Sequence, residues 1–157
     1  LSSQVAWRRF IFWFLSMSSD QSPISAYTET KGLRYFPRML SKIRLQTAGN
    51  LREDFLEMIG NGLDARMCSF LHIDYAALRE KTLTTFNDDE IFDWVNGNGR
   101  TIGETDILVW NHYVTKLGWR DQVTESLANR KQSSGLSDRN EIETMIEYFE
   151  YDEGRKS

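Results

Sequence analysis

The chain of 157 residues is poor in the residues that mark several protein classes, with one cysteine, two histidines and two prolines. One cysteine excludes an intramolecular disulfide, and Cys68 with two histidines cannot complete an ordinary structural zinc site unless carboxylates join them. Few prolines, 40% hydrophobic residues and 27% charged residues exclude a disordered or fibrous chain. We therefore expect a reduced cytoplasmic protein with no metal and no cofactor.

Residues 1–16 differ in character from the rest of the chain. They lack an initial Met, carry Arg8 and Arg9 before the apolar run from Phe10 to Leu15, and precede Met17, which is typical of a protein start. The run is far shorter than the about 20 residues that span a bilayer. The pattern favours an over-extended reading frame, so that 1–16 are not translated in the native protein. A membrane-surface anchor and a secretion signal are the alternatives.

The remaining chain fits one domain with a short leader. Residues 17–30 are polar, contain Pro23 and have no periodicity, which predicts a mobile arm. The domain is expected at 31–155, a length that can bury a hydrophobic core. Residues 1–30 are therefore predicted to be a non-core N-terminal segment.

From residue 31 onwards, apolar residues recur at helical spacing. The pattern predicts helices at about 36–48, from Gly62 or Asp64 to Leu71, after Asp74, at 88–96, after a capping box at Thr101–Glu104, from Asp121, and from Asp138. No run of strand length alternates or is rich in β-branched residues. We expect an all-α, compact single-domain orthogonal bundle of about six to seven short helices.

The stretch GNGLDARMCSFL, from Gly60 to Leu71, could be a catalytic loop around Cys68 or a join between helices. An activated thiol needs a helix N-terminus or a basic neighbour, and Cys68 lies several residues into its predicted helix. His72 shares a helix face with Cys68, which supports a Cys–His pair only weakly. We favour a join in which Asp64 caps the helix and Cys68 packs in the core.

Charge is unevenly distributed along the chain. Residues 31–52 contain basic residues and no acids, namely Lys31, Arg34, Arg38, Lys42, Arg44 and Arg52. Residues 138–153 are acidic except for Arg139. On the first helix, Arg38 and Lys42 lie opposite the apolar stripe, which predicts that they face away from the core.

Three interpretations of this charge stay open. The basic and acidic segments could be solvated faces, or could lie together within the chain or across a dimer. The arginines could bind a small anion or the acidic surface of a partner. Nucleic acid is disfavoured, because phosphate binding needs a basic surface and the net charge is −4 with an acidic terminus.

Several segments occur in a recognisable order: YFPRMLSKIRLQTAG, GLDARMCSFLHIDY, NDDEIFDWV, ILVWNHYVTKLGWRD, ANRKQSSGL and a terminal DEGR. From about Gly32 to Arg155 the chain resembles the uncharacterised bacterial family catalogued as domain of unknown function 5069. The resemblance implies a small cytoplasmic helical protein and brings no activity with it. The family pattern has a second cysteine where Met67 stands here, which argues against a dithiol at this position.

The candidate binding residues are polar side chains that could serve a surface or a pocket, namely Arg34, Arg38, Lys42, Arg66, Asn111 and Arg120. The leading hypothesis is a binding or interaction module that uses the basic surface of the first helix, with an acidic protein or a small anion as partner. One alternative is a small metal-independent enzyme or anionic-ligand-binding protein whose pocket combines Arg38, Arg66, Asn111 and Arg120. Another is a self-associating structural protein. No catalytic residue is assigned.

Overall fold

A computed structural model describes residues 20–157, so the expectation for residues 1–16 lies outside the described residues. Within 20–157 the chain forms a short hairpin, seven α-helices and one 3-10 helix. The elements are β1 (Glu29–Thr30), β2 (Leu33–Arg34), α1 (Phe36–Thr47), the 3-10 helix (Glu53–Met58), α2 (Leu63–Leu71), α3 (Tyr75–Thr84), α4 (Asp88–Asn98), α5 (Glu104–Lys116), α6 (Thr124–Ser133) and α7 (Met145–Asp152). The predicted mainly helical class is confirmed.

The hairpin is a structural element that the sequence pattern did not predict. Glu29 pairs with Arg34 and Thr30 with Leu33, in antiparallel register. Lys31 and Gly32 form the turn and both have positive φ, 48° and 84°, which is the geometry that matches the twist of paired strands. Strands of two residues are too short to show an alternating pattern.

Most helix starts follow the predicted signals, and three do not. One of the three is α6, which was predicted from Asp121 and begins at Thr124. Asp74 caps α3 by accepting a hydrogen bond from the Ala77 amide. The box predicted at Thr101 is wrong, because the Ile102 amide donates to the Asn96 side chain and α5 begins only at Glu104. The start predicted at Asp138 is also wrong.

The last helix begins at Met145, after a turn-rich segment. Thr144 accepts from the Glu147 amide, and the Glu147 carboxylate accepts from the Thr144 amide. This reciprocal capping box satisfies two amides at the start of α7. It replaces the helix start predicted at Asp138.

The core consists of two clusters of buried side chains. The larger contains Phe36, Met39, Leu40, Met67, Leu71, Leu78, Ile91, Val95, Val114 and Ile146, and the smaller contains Leu117, Leu127, Ile142, Met145 and Tyr148. The smaller cluster joins α6 and α7 to the end of α5. Trp119, which lies just past that end, is 48% exposed.

Residues 20–30, where the sequence predicted a mobile arm, are packed against the domain. The Gln21 amide donates to the Asn50 carbonyl, and the Arg52 amide donates to the Gln21 carbonyl, each at 2.9 Å. Ala26 is fully buried and Ser25 donates to Glu150 at 2.7 Å. The order comes from backbone pairing with a distant segment, which local composition does not indicate.

In the part of the chain that the structure describes, no helix is long and apolar enough to cross a membrane.

Candidate functional site

A cavity of about 200 Å³ opens between α1, the 3-10 helix, the start of α2, α6 and α7. Its wall is partly apolar and partly charged. The apolar side chains include Phe55, Met58, Leu63, Leu117, Val123, Met145 and Phe149. The charged ones are Arg38, Lys42, Arg52, Asp54, Arg66, Arg130 and Asp152. Such a mixed concave wall is typical of small-molecule sites.

The glycine-rich stretch of the sequence forms one edge of this cavity. Gly60 and Gly62 have positive φ, 71° and 54°, and turn the chain from the 3-10 helix into α2. The stretch is therefore a join between helices, as predicted. Asp64 is not the cap that we expected, because Gly62 occupies the cap position and the Asp64 side chain is fully buried.

Asp64 belongs to a buried polar cluster with Tyr35 and Lys42, and the latter two line the cavity. Asp64 Oδ1 accepts hydrogen bonds from Tyr35 Oη at 2.8 Å and from Lys42 Nζ at 2.6 Å. Asp64 Oδ2 accepts from the Gly60 amide at 3.1 Å, and Lys42 Nζ is also 3.0 Å from Tyr35 Oη. Each member is thus oriented by the other two.

Burial shifts the pKa values of Tyr35 and Lys42 in this cluster. Loss of solvent raises the pKa of Tyr35 well above its usual value, and the negative charge of Asp64 adds to this rise. Burial lowers the pKa of Lys42, although the Asp64 carboxylate acts in the opposite direction. The ammonium of Lys42 is therefore easier to deprotonate than that of an exposed lysine.

Arg38 is the most buried cation of the cavity wall, with 1% of its surface exposed. Its two terminal nitrogens bind the Glu153 carboxylate, with Nη1 at 2.9 Å from Oε2, and Nη1 also donates to the Ile24 carbonyl at 2.9 Å. The guanidinium lies 4.7 Å from the centre of the Phe149 ring. Its Nε–H has no acceptor among residues 20–157.

The other cations of the wall fall into two groups. Arg52 is neutralised by carboxylates, because it binds Asp54 at 2.6 Å and Asp152 at 2.5 Å. Arg66 donates to the hydroxyl of Tyr113, and Arg130 makes no side-chain hydrogen bond within the described range. Neither Arg66 nor Arg130 has a carboxylate partner among the described residues.

The predicted basic surface of α1 does not exist in the form we expected. Arg38 and Lys42 were assigned to its solvent face, but they are 1% and 4% exposed. The 3-10 helix and the end of α7 cover that face, and Glu153 and Asp64 neutralise the charges. Of the open interpretations, the structure shows basic and acidic segments lying together within one chain.

The remaining candidates lie away from the cavity. Arg34 binds Glu29 at 2.9 Å on the hairpin. Asn111 holds the hairpin in place by accepting from the Arg34 amide at 3.0 Å and donating to the Gly32 carbonyl at 2.8 Å. Arg120 lies over Trp119 at 5.0 Å in a separate groove. Only Arg38 and Arg66 of the predicted four-residue pocket line the cavity.

Cys68 is buried and free, which confirms the core interpretation. Burial raises its pKa to about 12, which is the opposite of thiol activation. A metal site needs a group of at least three His, Cys, Asp or Glu side chains, and residues 20–157 contain no such group.

Tyr35 and Asp64 are members of the site that the sequence analysis did not select. One signal was present: Tyr35 and Lys42 are seven residues apart, a spacing typical of one helix face, although Tyr35 is the cap of α1 rather than part of the helix. The third member had no such signal, because Asp64 comes from another helix.

Comparison with known proteins places the chain in a family. No curated protein matches it. The model of the family described as Domain of unknown function (DUF5069) matches residues 20–155. The match includes the packed segment 20–30 and confirms the resemblance found in the sequence. The chain therefore belongs to the DUF5069 family, whose function is unknown.

Proposed function

We propose that the protein binds a small organic anion in the cavity between α1, α2, α6 and α7. The observation that carries this proposal is the surplus of cationic donors on the wall. Lys42 and Arg52 have carboxylate partners, whereas Arg66 and Arg130 have none among the described residues. The buried Nε–H of Arg38 also lacks an acceptor in that range.

Arg66 is exposed and Arg130 is half-buried, so water can bond to their free donors, whereas the Nε–H of Arg38 is buried and is the unsatisfied donor that costs free energy. A buried donor without a partner costs roughly 1–3 kcal/mol, and such groups are uncommon in native proteins. An anion in the cavity would supply an acceptor for the Arg38 Nε–H and a charge partner for Arg66 and Arg130. The planar guanidinium groups of Arg66 and Arg130 also suit the geometry of carboxylate and phosphate groups.

The rest of the wall limits what the anion can be. Phe55, Met58 and Phe149 provide apolar surface beside the charged residues. The volume of about 200 Å³ lies below the roughly 300–1,000 Å³ of pockets for drug-sized molecules. We therefore expect an organic acid or a phosphorylated compound of a few carbon atoms, rather than a nucleotide.

The same geometry bears on the other hypotheses. An acidic protein partner would need the charges of α1 at the surface, and Arg38 and Lys42 are buried. Self-association through basic and acidic segments is also less well supported, since these segments bind each other within the chain. A cytoplasmic location is part of our proposal and agrees with a free cysteine.

Thermal unfolding of the full chain tests the proposal. Inorganic phosphate, acetate, lactate, pyruvate and succinate would be compared at constant ionic strength. Because a ligand that binds only the folded state at 100 times its Kd adds about 2.7 kcal/mol, we expect a rise in Tm of about 5–10 °C for the best ligand.

The variants Arg66→Ala and Arg130→Ala should each reduce this rise. Arg139→Ala is the matched control, because Arg139 is an exposed arginine paired with Glu141 outside the cavity. The proposal is wrong if no anion raises Tm, or if the cavity variants respond like the control.

A further inference from the structure

Lys42 combines three properties that are rare in one lysine. It lines the cavity, it is 4% exposed, and its Nζ is held by Tyr35 Oη and Asp64 Oδ1. An ammonium group has three donors, and these two contacts use two of them. The third is free, within the described residues, to meet an oxygen of a molecule in the cavity.

The neighbours of Lys42 are suited to proton transfer. Asp64 lies 2.6 Å from Nζ and can accept a proton from the ammonium. The hydroxyl of Tyr35 lies 3.0 Å from Nζ and 2.8 Å from Asp64, so it can donate to one group while accepting from the other. Lysines that react with carbonyl compounds need this combination of a desolvated amine and a nearby acid–base group.

Tyr35 is also held in an unusual conformation. Its φ is 71°, although bulky residues rarely adopt the left-handed region. Residues in such conformations cluster at functional sites, where the surrounding structure compensates the strain. Here the conformation begins α1 and places the Tyr35 hydroxyl against Lys42 and Asp64.

We propose that Lys42 forms an imine with a small oxo acid bound in the cavity. This inference rests on the proposed function, because Arg66 and Arg130 would bind the carboxylate of the oxo acid. The carbonyl carbon would face Nζ, since Lys42 lines the same cavity. The ligand class narrows accordingly, from small organic anions in general to those with an aldehyde or ketone group.

Imine formation conserves atoms and charge. The Lys42 ammonium gives one proton to Asp64, and the neutral amine attacks the carbonyl carbon. A C–N bond forms, the C=O π bond breaks, and a second amine proton moves to the oxygen to give a carbinolamine. Asp64 returns its proton to that hydroxyl, which leaves as water, and the product is a protonated imine that keeps the positive charge.

Trapping with a reductant tests this inference. The full chain is incubated with pyruvate and sodium cyanoborohydride, which reduces an iminium ion to a stable secondary amine, and the adduct is located by peptide mass spectrometry. We expect Lys42 to be labelled faster than the exposed Lys116, by about tenfold for each unit by which its pKa is lower. Lys42→Arg retains the positive charge beside Asp64 and should remove the label at this position.

Three outcomes overturn the inference. One is even labelling of Lys42 and Lys116, and another is an unlabelled Lys42 in the wild-type chain. Either would mean that Lys42 and Asp64 form only a structural ion pair. The third is a total label that is unchanged in Lys42→Arg. If that variant does not fold, the position of the label in the wild-type chain still tests the inference.

Lactate separates this inference from the proposed function, because it has the carboxylate of pyruvate and no carbonyl group. If lactate and pyruvate both raise Tm through Arg66 and Arg130 while Lys42 stays unlabelled, the anion site stands and the imine is wrong. If neither raises Tm, the imine with a small oxo acid is wrong, whereas the anion site fails only if phosphate, acetate and succinate also leave Tm unchanged.

Discussion

At the scale of single residues, the notable feature is the number of charges placed in the interior. Arg38 with Glu153 and Lys42 with Asp64 are ion pairs whose side chains are 5% exposed or less. Removing two charges from water costs several kcal/mol per ion, which their attraction repays only when geometry and further hydrogen bonds are good. Both pairs have those further bonds, to the Ile24 carbonyl and to the Gly60 amide.

Arg38→Ala should lower the free energy of unfolding by about 3 kcal/mol, because it leaves a buried carboxylate with fewer partners. Arg34→Ala is the control, since its pair with Glu29 is partly exposed and such pairs contribute at most about 1 kcal/mol. Urea unfolding followed by circular dichroism measures both. Equal losses of unfolding free energy in the two variants would contradict the burial of the Arg38–Glu153 pair.

Cys68 should resist alkylation in the native protein. Burial raises its pKa to about 12, so the reactive thiolate is scarce at pH 8 and becomes abundant only when the pH approaches that value or the chain unfolds. Iodoacetamide labelling at pH 8, with and without urea, checks this. Rapid labelling without urea would show that the thiol is accessible.

At the scale of elements, the end of α4 meets the end of α2 at a close backbone contact. The Arg100 amide donates to the Leu71 carbonyl at 3.0 Å, and the Gly99 amide donates to the Val95 carbonyl at 2.7 Å. A Cβ added at Gly99 would clash with the Leu71 carbonyl oxygen. Glycine at this position thus allows two helix ends to approach.

Gly99→Ala should therefore destabilise the protein by about 2 kcal/mol, the cost typical of forcing atoms into a packed site. Gly97 provides a control two residues earlier, because it is helical and a Cβ there meets no other atom within 4 Å. Gly97→Ala should stabilise by about 0.5–1 kcal/mol, since alanine favours the helix. Thermal melts of both variants should shift in opposite directions.

At the scale of the whole molecule, the two ends of the described chain meet over α1. Arg155 donates to the Pro23 carbonyl at 3.1 Å and to Glu150 at 2.9 Å, and Ser25 donates to the same Glu150. The contacts of Arg155 with Pro23 and of Ser25 with Glu150 join positions more than 120 residues apart in sequence. They cover the face of α1 that carries Arg38.

Removing Glu153 to Ser157 should cost about 3–5 kcal/mol of stability, because it leaves Arg38 buried without its carboxylate. Removing only Lys156 and Ser157, which are exposed, should change stability by no more than about 0.5 kcal/mol. Urea unfolding distinguishes the two truncations. A small loss of stability for the truncation from Glu153 would mean that Arg38 binds another partner.

Local patterns were sufficient for most of the secondary structure. The spacing of Phe36, Met39, Leu40 and Ile43 fixes the buried stripe of α1, and Asp74 fixes the start of α3. These signals act within a few residues, so the chain itself carries them. The helix starts predicted at Thr101 and Asp138 are wrong for the same reason. A capping pattern is a local signal, and contacts outside the pattern determine where those helices begin.

The sequence by itself determined a helical fold, the join at Gly60 to Gly62, and a cysteine inside the core. Only the tertiary structure decided which charges would be buried. Arg38 meets Glu153 across 115 residues, and Lys42 meets Asp64 across 22. Helical periodicity reports which side of a helix carries charge, but not what packs against that side. The candidate site depends on that packing, because burial and long-range partners give Lys42 and Arg38 their chemistry.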